Sequence, residues 1–539
     1  MLKASKKILA LVLSLIMAFC ALPMAASAAE EANDADPVIY ILGYGGELFA
    51  DKVTYKGGQI YPLNTDIEAV VKEAATPCLT ALAYAKATGD YSAYCAELYN
   101  TMAPIYEGIV LNPDGTAKTD ENGITSGKDY RMQSFKSKHW TGDEYYVFYD
   151  WRLSPLDLVE STIAPLVEQA SAKSPTKKVD IVARCYGANL VSTYLAQNDD
   201  VTDMVDDVIM YIPSTEGIGL IGRIFSGKIE LNSKAINEYV NELLKYENII
   251  DDSFVKNFID VFLLISEQIE MLDMGADMVQ DLIDNIREDF IAPIIRNSYG
   301  SFPSFWAMVP DEYFQDAVDF IYSTDELREE YAGTIELITA YHDNIQVNSR
   351  ETLAAHAEKG LNINVISKYN LPSAPLFGKA NPMADAIAET TLTSFGATTA
   401  DFGKTLGTSY ISAMTNESRK YLSADEKIDA STCLFPEKTW FIKNCYHDYF
   451  EAEALYTFLD TILTCEEDAT IDTFAEYPQF IDAGITAETL VPVTEKDKDI
   501  PVEGSKDAKF QMLFKFIMFV IQLLIKIING DLDFGSLLG

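Results

Sequence analysis

The residues around Cys185 are typical of a nucleophile at a sharp turn. From Val179 onward an apolar run predicts a strand, residues 188–197 predict a helix, and Cys185 stands between them. In a G-x-S-x-G elbow the turn is strained, so the positions two before and two after the nucleophile must be small. Here they are Ala183 and Gly187. A thiol at a helix N-terminus gains thiolate character and attacks acyl carbonyls. The alternative interpretation is a buried structural cysteine.

Acyl transfer also needs a base that manages the proton of the nucleophile. The chain has 4 histidines. His139 precedes Cys185 in a polar loop, and His342 and His356 fall in stretches predicted to be helical. His447 alone follows a late predicted strand, where the base of such a site belongs. The sequence therefore favours His447 as the base, with a surface histidine as the alternative.

An acid must orient the base, and the sequence offers more than one. Asp385 gives the chain order nucleophile, acid, histidine that is typical of α/β hydrolases. Asp401 and Asp448 are nearby alternatives, and an isolated aspartate in a loop is otherwise simply solvated. The predicted catalytic triad is Cys185, Asp385 and His447.

Strands and helices alternate around these residues. Residues 37–42 and 144–149 predict strands, residues 156–172 predict a helix, and residues 207–212 predict a strand beyond the elbow. Such alternation favours an α/β fold with a parallel, helix-covered sheet. The first strand ends in Gly43-Tyr44-Gly45-Gly46, a loop that suits either an oxyanion hole or a plain tight turn.

Three segments in this order resemble the lecithin:cholesterol acyltransferase family of α/β hydrolases. They are V-I-Y-I-L-G-Y-G-G at residues 38–46, Y-D-W-R-L-S-P at residues 149–155, and the elbow. The resemblance covers roughly residues 36–215 and 361–450, and the cysteine in place of serine at position 185 is its main departure. It implies an α/β-hydrolase fold, with a mostly parallel central sheet, helices on both faces and an inserted helical cap.

The resemblance also implies roles for individual residues. The backbone N–H groups of Tyr44 and Tyr186 would hold the oxyanion. Residues 381–388, N-P-M-A-D-A-I-A, resemble the acid loop of the family and place the acid at Asp385. The core would comprise residues 36–213 and 361–465, and residues 214–360 would form a cap over an apolar acyl-binding cleft.

Both ends of the chain predict segments outside this core. Residues 1–28 have the basic start, apolar run and small-residue cleavage site of a signal peptide, which predicts a secreted or extracellular protein, free or attached to the cell surface or membrane. Residues 466–507 predict an acidic linker, and residues 508–539 an amphipathic apolar helix and tail. Residues 510–528 suit association with a membrane surface, and packing on the cap or self-association is the alternative.

Composition excludes several classes of protein. The chain of 539 residues has 82 acidic against 41 basic side chains and a net charge of −41, which disfavours nucleic acid as a partner. No metal-ligand spacing, P-loop or dinucleotide fingerprint is present in the sequence, so we expect no metal and no cofactor. The 7 cysteines fix no disulfide pairing, and the sequence does not give the oligomeric state.

The sequence therefore predicts an exported acyl-transfer enzyme, of the lipase, esterase or O-acyltransferase type. It would act on ester or lipid-like small molecules through an acyl-enzyme on Cys185. The alternative hypothesis is a catalytically silent lipid- or envelope-binding protein that keeps the fold.

Overall fold

The computed structural model describes residues 36–44, 48–49, 59–61, 67–118, 130–132, 143–231, 235, 238–239, 242, 276–378, 381–450 and 452–495. The predicted signal peptide at residues 1–28 and the predicted amphipathic helix at residues 510–528 lie outside these residues. Among the described helices, none has the length and apolar character needed to cross a membrane.

The fold is α/β, as predicted, and is built on a mostly parallel sheet. In the described part of the chain this sheet has nine strands, which are β1 Val38–Ile41, β2 Tyr130–Met132, β3 Glu144–Val147, β4 Val179–Arg184, β5 Val205–Tyr211, β6 Asn362–Tyr369, β7 Thr439–Lys443, β8 Phe480–Asp482 and β9 Val491–Pro492. Their spatial order is β9-β8-β7-β6-β5-β4-β1-β3-β2. Its two edge strands, β2 and β9, are antiparallel to their neighbours, and the inner strands are parallel.

Three short antiparallel pairs lie outside the main sheet. They are Leu48–Phe49 with Gln59–Tyr61, Leu371–Pro372 with Met383–Ala384, and Thr398–Thr399 with Ile428–Asp429.

The helices account for most of the remaining described residues. The α-helices are α1 Ile67–Thr88, α2 Ser92–Tyr106, α3 Pro155–Leu158, α4 Ala164–Lys173, α5 Tyr186–Gln197, α6 Gly219–Phe225, α7 Ala276–Ile286, α8 Ala292–Arg296, α9 Pro303–Trp306, α10 Asp311–Ile321, α11 Asp325–Glu330, α12 Ala332–Tyr341, α13 Ser349–Glu358, α14 Thr390–Thr393, α15 Thr408–Ala413 and α16 Glu453–Leu463. Single π-helical segments occur at Val159–Ile163, Arg287–Ile291 and His342–Gln346. Short 3₁₀ turns occur at Val201–Asp203, Tyr299–Ser301, Ser418–Tyr421, Ala430–Thr432 and Pro436–Lys438.

Hydrophobic cores lie on both faces of the sheet because neighbouring residues of a strand point to opposite faces. In β4, Ile181 belongs to the core that includes the apolar face of α5, whereas Val182 belongs to the core that includes α16. The strands are therefore buried on both faces, as parallel strands usually are. Between β5 and β6 the described regular structure is all helical, which agrees with the predicted helical segment at residues 214–360.

The prediction of a linker at residues 466–507 is wrong in its first part. The structure places β8 and β9 there, where Ile481 of β8 pairs with β7 and β9 closes the edge of the sheet. Each of these strands has only two or three residues, and their neighbourhood is rich in acidic side chains. These strands are defined by their pairing with neighbouring strands and not by a pattern in their own sequence. Two strands of the sheet therefore follow β7 in the chain.

Candidate active site

Cys185 lies in the turn between β4 and α5, with φ 49° and ψ −119°. Residues that carry a side chain rarely take positive φ, and such strain persists only where the surroundings impose it. The amide of Cys185 donates to the carbonyl of Tyr211 at 3.0 Å, and its own carbonyl accepts from the amides of Ala188 at 3.0 Å and Ser214 at 3.3 Å. Three backbone hydrogen bonds therefore hold the strained turn that the sequence predicts. The helix begins at Tyr186, two residues before its predicted start.

Two glycines let other backbone segments approach this turn. A Cβ atom on Gly187 would lie 2.2 Å from the carbonyl oxygen of Ile41, at the end of β1. A Cβ atom on Gly43 would lie 3.1 Å from the Cβ of Cys185. The first turn of α5, the end of β1 and the loop after it consequently pack backbone against backbone beside the thiol.

The structure brings the three predicted catalytic side chains together. His447 Nε2 lies 3.3 Å from the sulfur of Cys185, and His447 Nδ1 lies 2.7 Å from Asp385 Oδ2. The amide of His447 also donates to the carbonyl of Asp385 at 3.0 Å. The exposed fraction is 7% for Cys185, 4% for His447 and 0% for Asp385. The imidazole thus lies between a carboxylate and a thiol, and in this arrangement it can take the proton of the thiol.

The three residues follow three different strands of the sheet. Cys185 follows β4 directly and His447 lies four residues after β7. Asp385 comes after β6, at the end of the short strand Met383–Ala384. Its Oδ1 accepts hydrogen bonds from the amides of Ala388 at 2.8 Å and Ile387 at 3.1 Å, which leaves Oδ2 for the histidine.

The residues that the sequence offered as alternatives to Asp385 and His447 make other contacts. Asp401 is exposed and pairs with Lys404 at 2.7 Å. His342 stacks on Phe314 with ring centroids 3.9 Å apart, and His356 Nε2 bonds the carbonyl of Leu195 at 2.9 Å. His139 lies outside the described residues. Asp448, the other alternative acid, pairs with Arg184 at 2.8 Å rather than with the histidine.

Opposite charges dominate the electrostatics of the site. Burial disfavours the charged form of His447, yet its electrostatic interactions and hydrogen bonds with Asp385 and Cys185 raise its pKa well above the usual value. Burial likewise disfavours a charged Asp385, but the ring of His447, the amide of Ala388 and the ammonium of Lys368 lower the pKa of this carboxyl. Asp385 therefore stays a carboxylate, and His447 can hold a proton taken from the thiol.

The predicted oxyanion donors belong to two segments that pack beside Cys185, the loop after β1 and the start of α5. Tyr186 is the first residue of α5, so its N–H has no partner within the helix, and no acceptor for it occurs among the described residues. Tyr44 follows Gly43, and its ring packs on Trp151 at 4.2 Å and on Phe305 at 4.9 Å between centroids. Gly45 and Gly46 lie outside the described residues.

The Y-D-W-R segment supports the loop that carries Tyr44. The hydroxyl of Tyr149 donates to the carbonyl of Leu42 at 2.5 Å, and Trp151 packs under the ring of Tyr44. Behind them Arg152 forms a two-point ion pair with Asp150, at 2.8 Å and 2.6 Å, and both side chains are buried. The segment thus fixes the end of β1 next to the elbow, a role that the sequence alone did not show.

Two further contacts near the site were missed from the sequence. Lys368 is fully buried and bonds three backbone carbonyls of the loop that carries His447. Arg184 and Asp448, the neighbours of Cys185 and His447 in the chain, form the ion pair that joins β4 to that loop. The sequence carries only a weak signal for Lys368, because the strand N-I-N-V-I-S-K-Y has polar residues at positions 362, 364 and 367 as well.

Carboxylates that could hold a metal ion lie at the opposite end of the strands. Oxygen atoms of Asp180, Asp206 and Asp207 are within 4.8 Å of one another. Protein donors already engage them, because Lys178 pairs with Asp206 at 2.7 Å and the amide of Asn362 bonds Asp207. This cluster is far in the fold from the elbow, and we assign it no part in the site.

The cysteines of the described residues are all free thiols, at positions 78, 95, 185, 433, 445 and 465. Cys185 is therefore available as a nucleophile. Comparison of the chain with protein-family models, curated proteins and solved structures finds no match.

Proposed function

We propose that this protein is an acyl-transfer enzyme with an α/β-hydrolase fold, which acts on ester or lipid substrates through Cys185. The observation that carries the proposal is the continuous contact from Asp385 through His447 to the sulfur of Cys185. The order of nucleophile, acid and base along the chain supports the fold. The resemblance of residues 149–152 to the lecithin:cholesterol acyltransferase family supports the substrate class.

The first half of the reaction forms a thioester. His447 Nε2 takes the proton of Cys185, and the sulfur attacks the acyl carbonyl carbon. The carbonyl oxygen becomes an oxyanion that accepts hydrogen bonds from the amides of Tyr44 and Tyr186. When the carbonyl re-forms, the bond to the alkoxy oxygen breaks, and the leaving alcohol takes the proton from His447. Asp385 remains a carboxylate throughout and stabilises the imidazolium.

The second half releases the acyl group. Water or an acceptor alcohol gives its proton to His447 and attacks the thioester carbonyl. The carbon–sulfur bond then breaks, and the thiolate of Cys185 recovers the proton. Water yields a free acid, whereas an alcohol yields a new ester.

The proposal includes export and attachment at a surface. Both rest on sequence segments outside the described residues, residues 1–28 and residues 510–528. A secreted enzyme with a membrane-surface helix would meet lipid esters where they are displayed.

A second candidate is a catalytically silent lipid- or envelope-binding protein of the same fold. The low exposure of Cys185 and His447, 7% and 4%, favours it, because a substrate must reach the sulfur before any chemistry occurs. It predicts saturable lipid binding without turnover.

One experiment separates the two candidates. Release of product from chromogenic esters of increasing acyl length is measured with the mature protein, Cys185→Ala, Cys185→Ser and the control Cys465→Ala, with a thiol reductant present. The enzyme proposal predicts turnover in the wild type and in Cys465→Ala, and a loss of at least about 100-fold in Cys185→Ala, which lacks the nucleophile. Equal turnover in Cys185→Ala would refute it. No wild-type turnover combined with saturable lipid binding would favour the second candidate.

A further inference from the structure

Lys368 is a lysine whose charge is completely buried. It lies on β6, is 0% exposed, and its ammonium donates to the backbone carbonyls of Tyr446 at 2.8 Å, His447 at 3.0 Å and Tyr449 at 2.9 Å. The ring of Tyr211 lies 5.1 Å from its Nζ. All three donors of the ammonium are thus used on one short stretch of chain, the loop that carries His447.

No direct ion pair compensates this charge in the described part of the chain, as one does at the other buried lysine nearby; Asp385 and Asp448 favour it only from a longer distance. Lys443, on the neighbouring strand β7, forms a 2.9 Å ion pair with Asp425. In the part of the chain that the structure describes, no carboxylate oxygen lies within 4 Å of Lys368 Nζ. Burying an ammonium costs free energy that an apolar side chain in the same slot would not cost. The ammonium of Lys368 instead binds the three backbone carbonyls of the histidine loop.

The loop depends on these donors most at His447. The carbonyl of Tyr446 also accepts from the amide of Tyr449 at 3.1 Å, and that of Tyr449 accepts from the thiol of Cys445 at 3.7 Å. Within the described part of the chain, the carbonyl of His447 has Lys368 as its donor. Buried carbonyls require hydrogen-bond partners, and Lys368 supplies one to each of three carbonyls between residues 446 and 449. His447 lies among them, with its ring held at one end by Asp385 and facing the sulfur of Cys185 at the other. A shift of this loop would change both distances at once.

We propose that Lys368 is a positioning residue that fixes the backbone of the histidine loop, and so holds His447 between Asp385 and Cys185. Its catalytic consequence rests on the proposed function, whereas its effect on the geometry does not. The charge of Lys368 also helps to keep Asp385 ionised, since it is one of the groups that lower the pKa of that carboxyl.

The test measures alkylation of Cys185 by iodoacetamide at pH 6, which needs no ester turnover. The thiolate forms a sulfur–carbon bond and iodide leaves, so the rate reports how well His447 removes the thiol proton. Peptide mass spectrometry follows Cys185 in the wild type, His447→Ala, Lys368→Met, Lys368→Arg and the matched control Lys443→Met. Thermal unfolding shows which variants are folded.

We expect Lys368→Met to slow alkylation by about 10- to 100-fold, toward the rate of His447→Ala, because small displacements of a catalytic group have effects of this size. Lys443→Met should keep the wild-type rate, and Lys368→Arg should recover part of the loss. A folded Lys368→Met that reacts at the wild-type rate, or no more slowly than Lys443→Met, would overturn the proposal. If Lys368→Met does not fold, Lys368→Gln takes its place under the same criteria, because its amide can serve fewer carbonyls and has no charge.

Ester turnover separates this inference from the proposed function. If the wild type hydrolyses esters, Lys368→Met should lower kcat with little change in KM, and an unchanged kcat would refute the positioning role alone. If no ester is turned over but alkylation slows as expected, the positioning role stands and the proposed function fails.

Discussion

Gly187 offers the sharpest test of how the elbow is built. It is the second residue of α5, and a Cβ atom there would lie 2.2 Å from the carbonyl oxygen of Ile41, 2.9 Å from its carbonyl carbon and 3.0 Å from the carbonyl oxygen of Leu42. All three are backbone atoms at the end of β1, which no side-chain rotation can move. The change Gly187→Ala must therefore separate α5 from β1.

The geometry gives the size of the effect. Contacts below 3.0 Å essentially never occur for real Cβ atoms, so relief of a 2.2 Å contact requires a movement of about 1 Å. Overpacking of this kind costs about 1–3 kcal/mol of unfolding free energy, and the backbone contact places this case near the upper end. A displacement of about 1 Å beside the oxyanion donors should lower kcat/KM by about 100-fold.

Urea-induced unfolding and chromogenic ester turnover measure the two effects. Gly108→Ala is the matched control, since a Cβ atom there has no neighbour within 4 Å. We expect a lower unfolding midpoint and slower turnover for Gly187→Ala, and wild-type behaviour for Gly108→Ala. A Gly187→Ala protein with wild-type midpoint and wild-type turnover would show that this close packing of α5 on β1 is incorrect.

Three further predictions concern buried charges. Arg152→Met leaves Asp150 buried without its partner and should cost about 3–5 kcal/mol of unfolding free energy in urea; an unchanged midpoint would contradict the buried pair. Burial raises the pKa of Asp207 to about 7, so the folded state binds the extra proton and stability should fall as the pH rises from about 4 to 7. Asp207→Asn should lessen this fall, to which the raised pKa of the buried Asp180 beside it also contributes, and should be more stable at neutral pH by up to about 4 kcal/mol. Thermal unfolding across this range measures both effects, and a variant with the wild-type profile would refute the assignment. Burial opposes the charge of His447, but Asp385 and Cys185 raise its pKa, so its protonated form adds stability that is complete below about pH 6.5 and is lost as the pH rises through the raised value. Asp385→Asn should weaken this dependence, and an identical pH profile in thermal unfolding would refute the assignment.

The candidate site was largely predictable from the sequence because its chemistry restricts which residues can serve. Few histidines were available, and only His447 followed a late strand. The small residues around Cys185 marked the strained turn, and the structure shows it with φ 49°. The choice of Asp385 over Asp401 depended on the loop sequence, and the structure places Asp385 against His447.

What the sequence did not show depends on tertiary contacts. Lys368 in a strand resembles any polar residue on a sheet, and only the folded structure brings it to the carbonyls of the histidine loop. The strands at residues 480–482 and 491–492 are too short to produce a periodic pattern, and β7 determines the first of them by pairing. The Y-D-W-R segment is a distinctive motif in the sequence, but its support of the loop at Leu42 is visible only in the structure.

The central claim is that Cys185 becomes acylated, and mass spectrometry of the intact protein tests it most directly. The mature protein is mixed with a chromogenic ester, quenched in acid during turnover, and digested to locate any acyl group. We predict one acyl group, on Cys185, in the wild type and in Cys465→Ala, and none in Cys185→Ala. Ester turnover with no acyl group on Cys185, or equal acylation of Cys185→Ala at another residue, would contradict this mechanism.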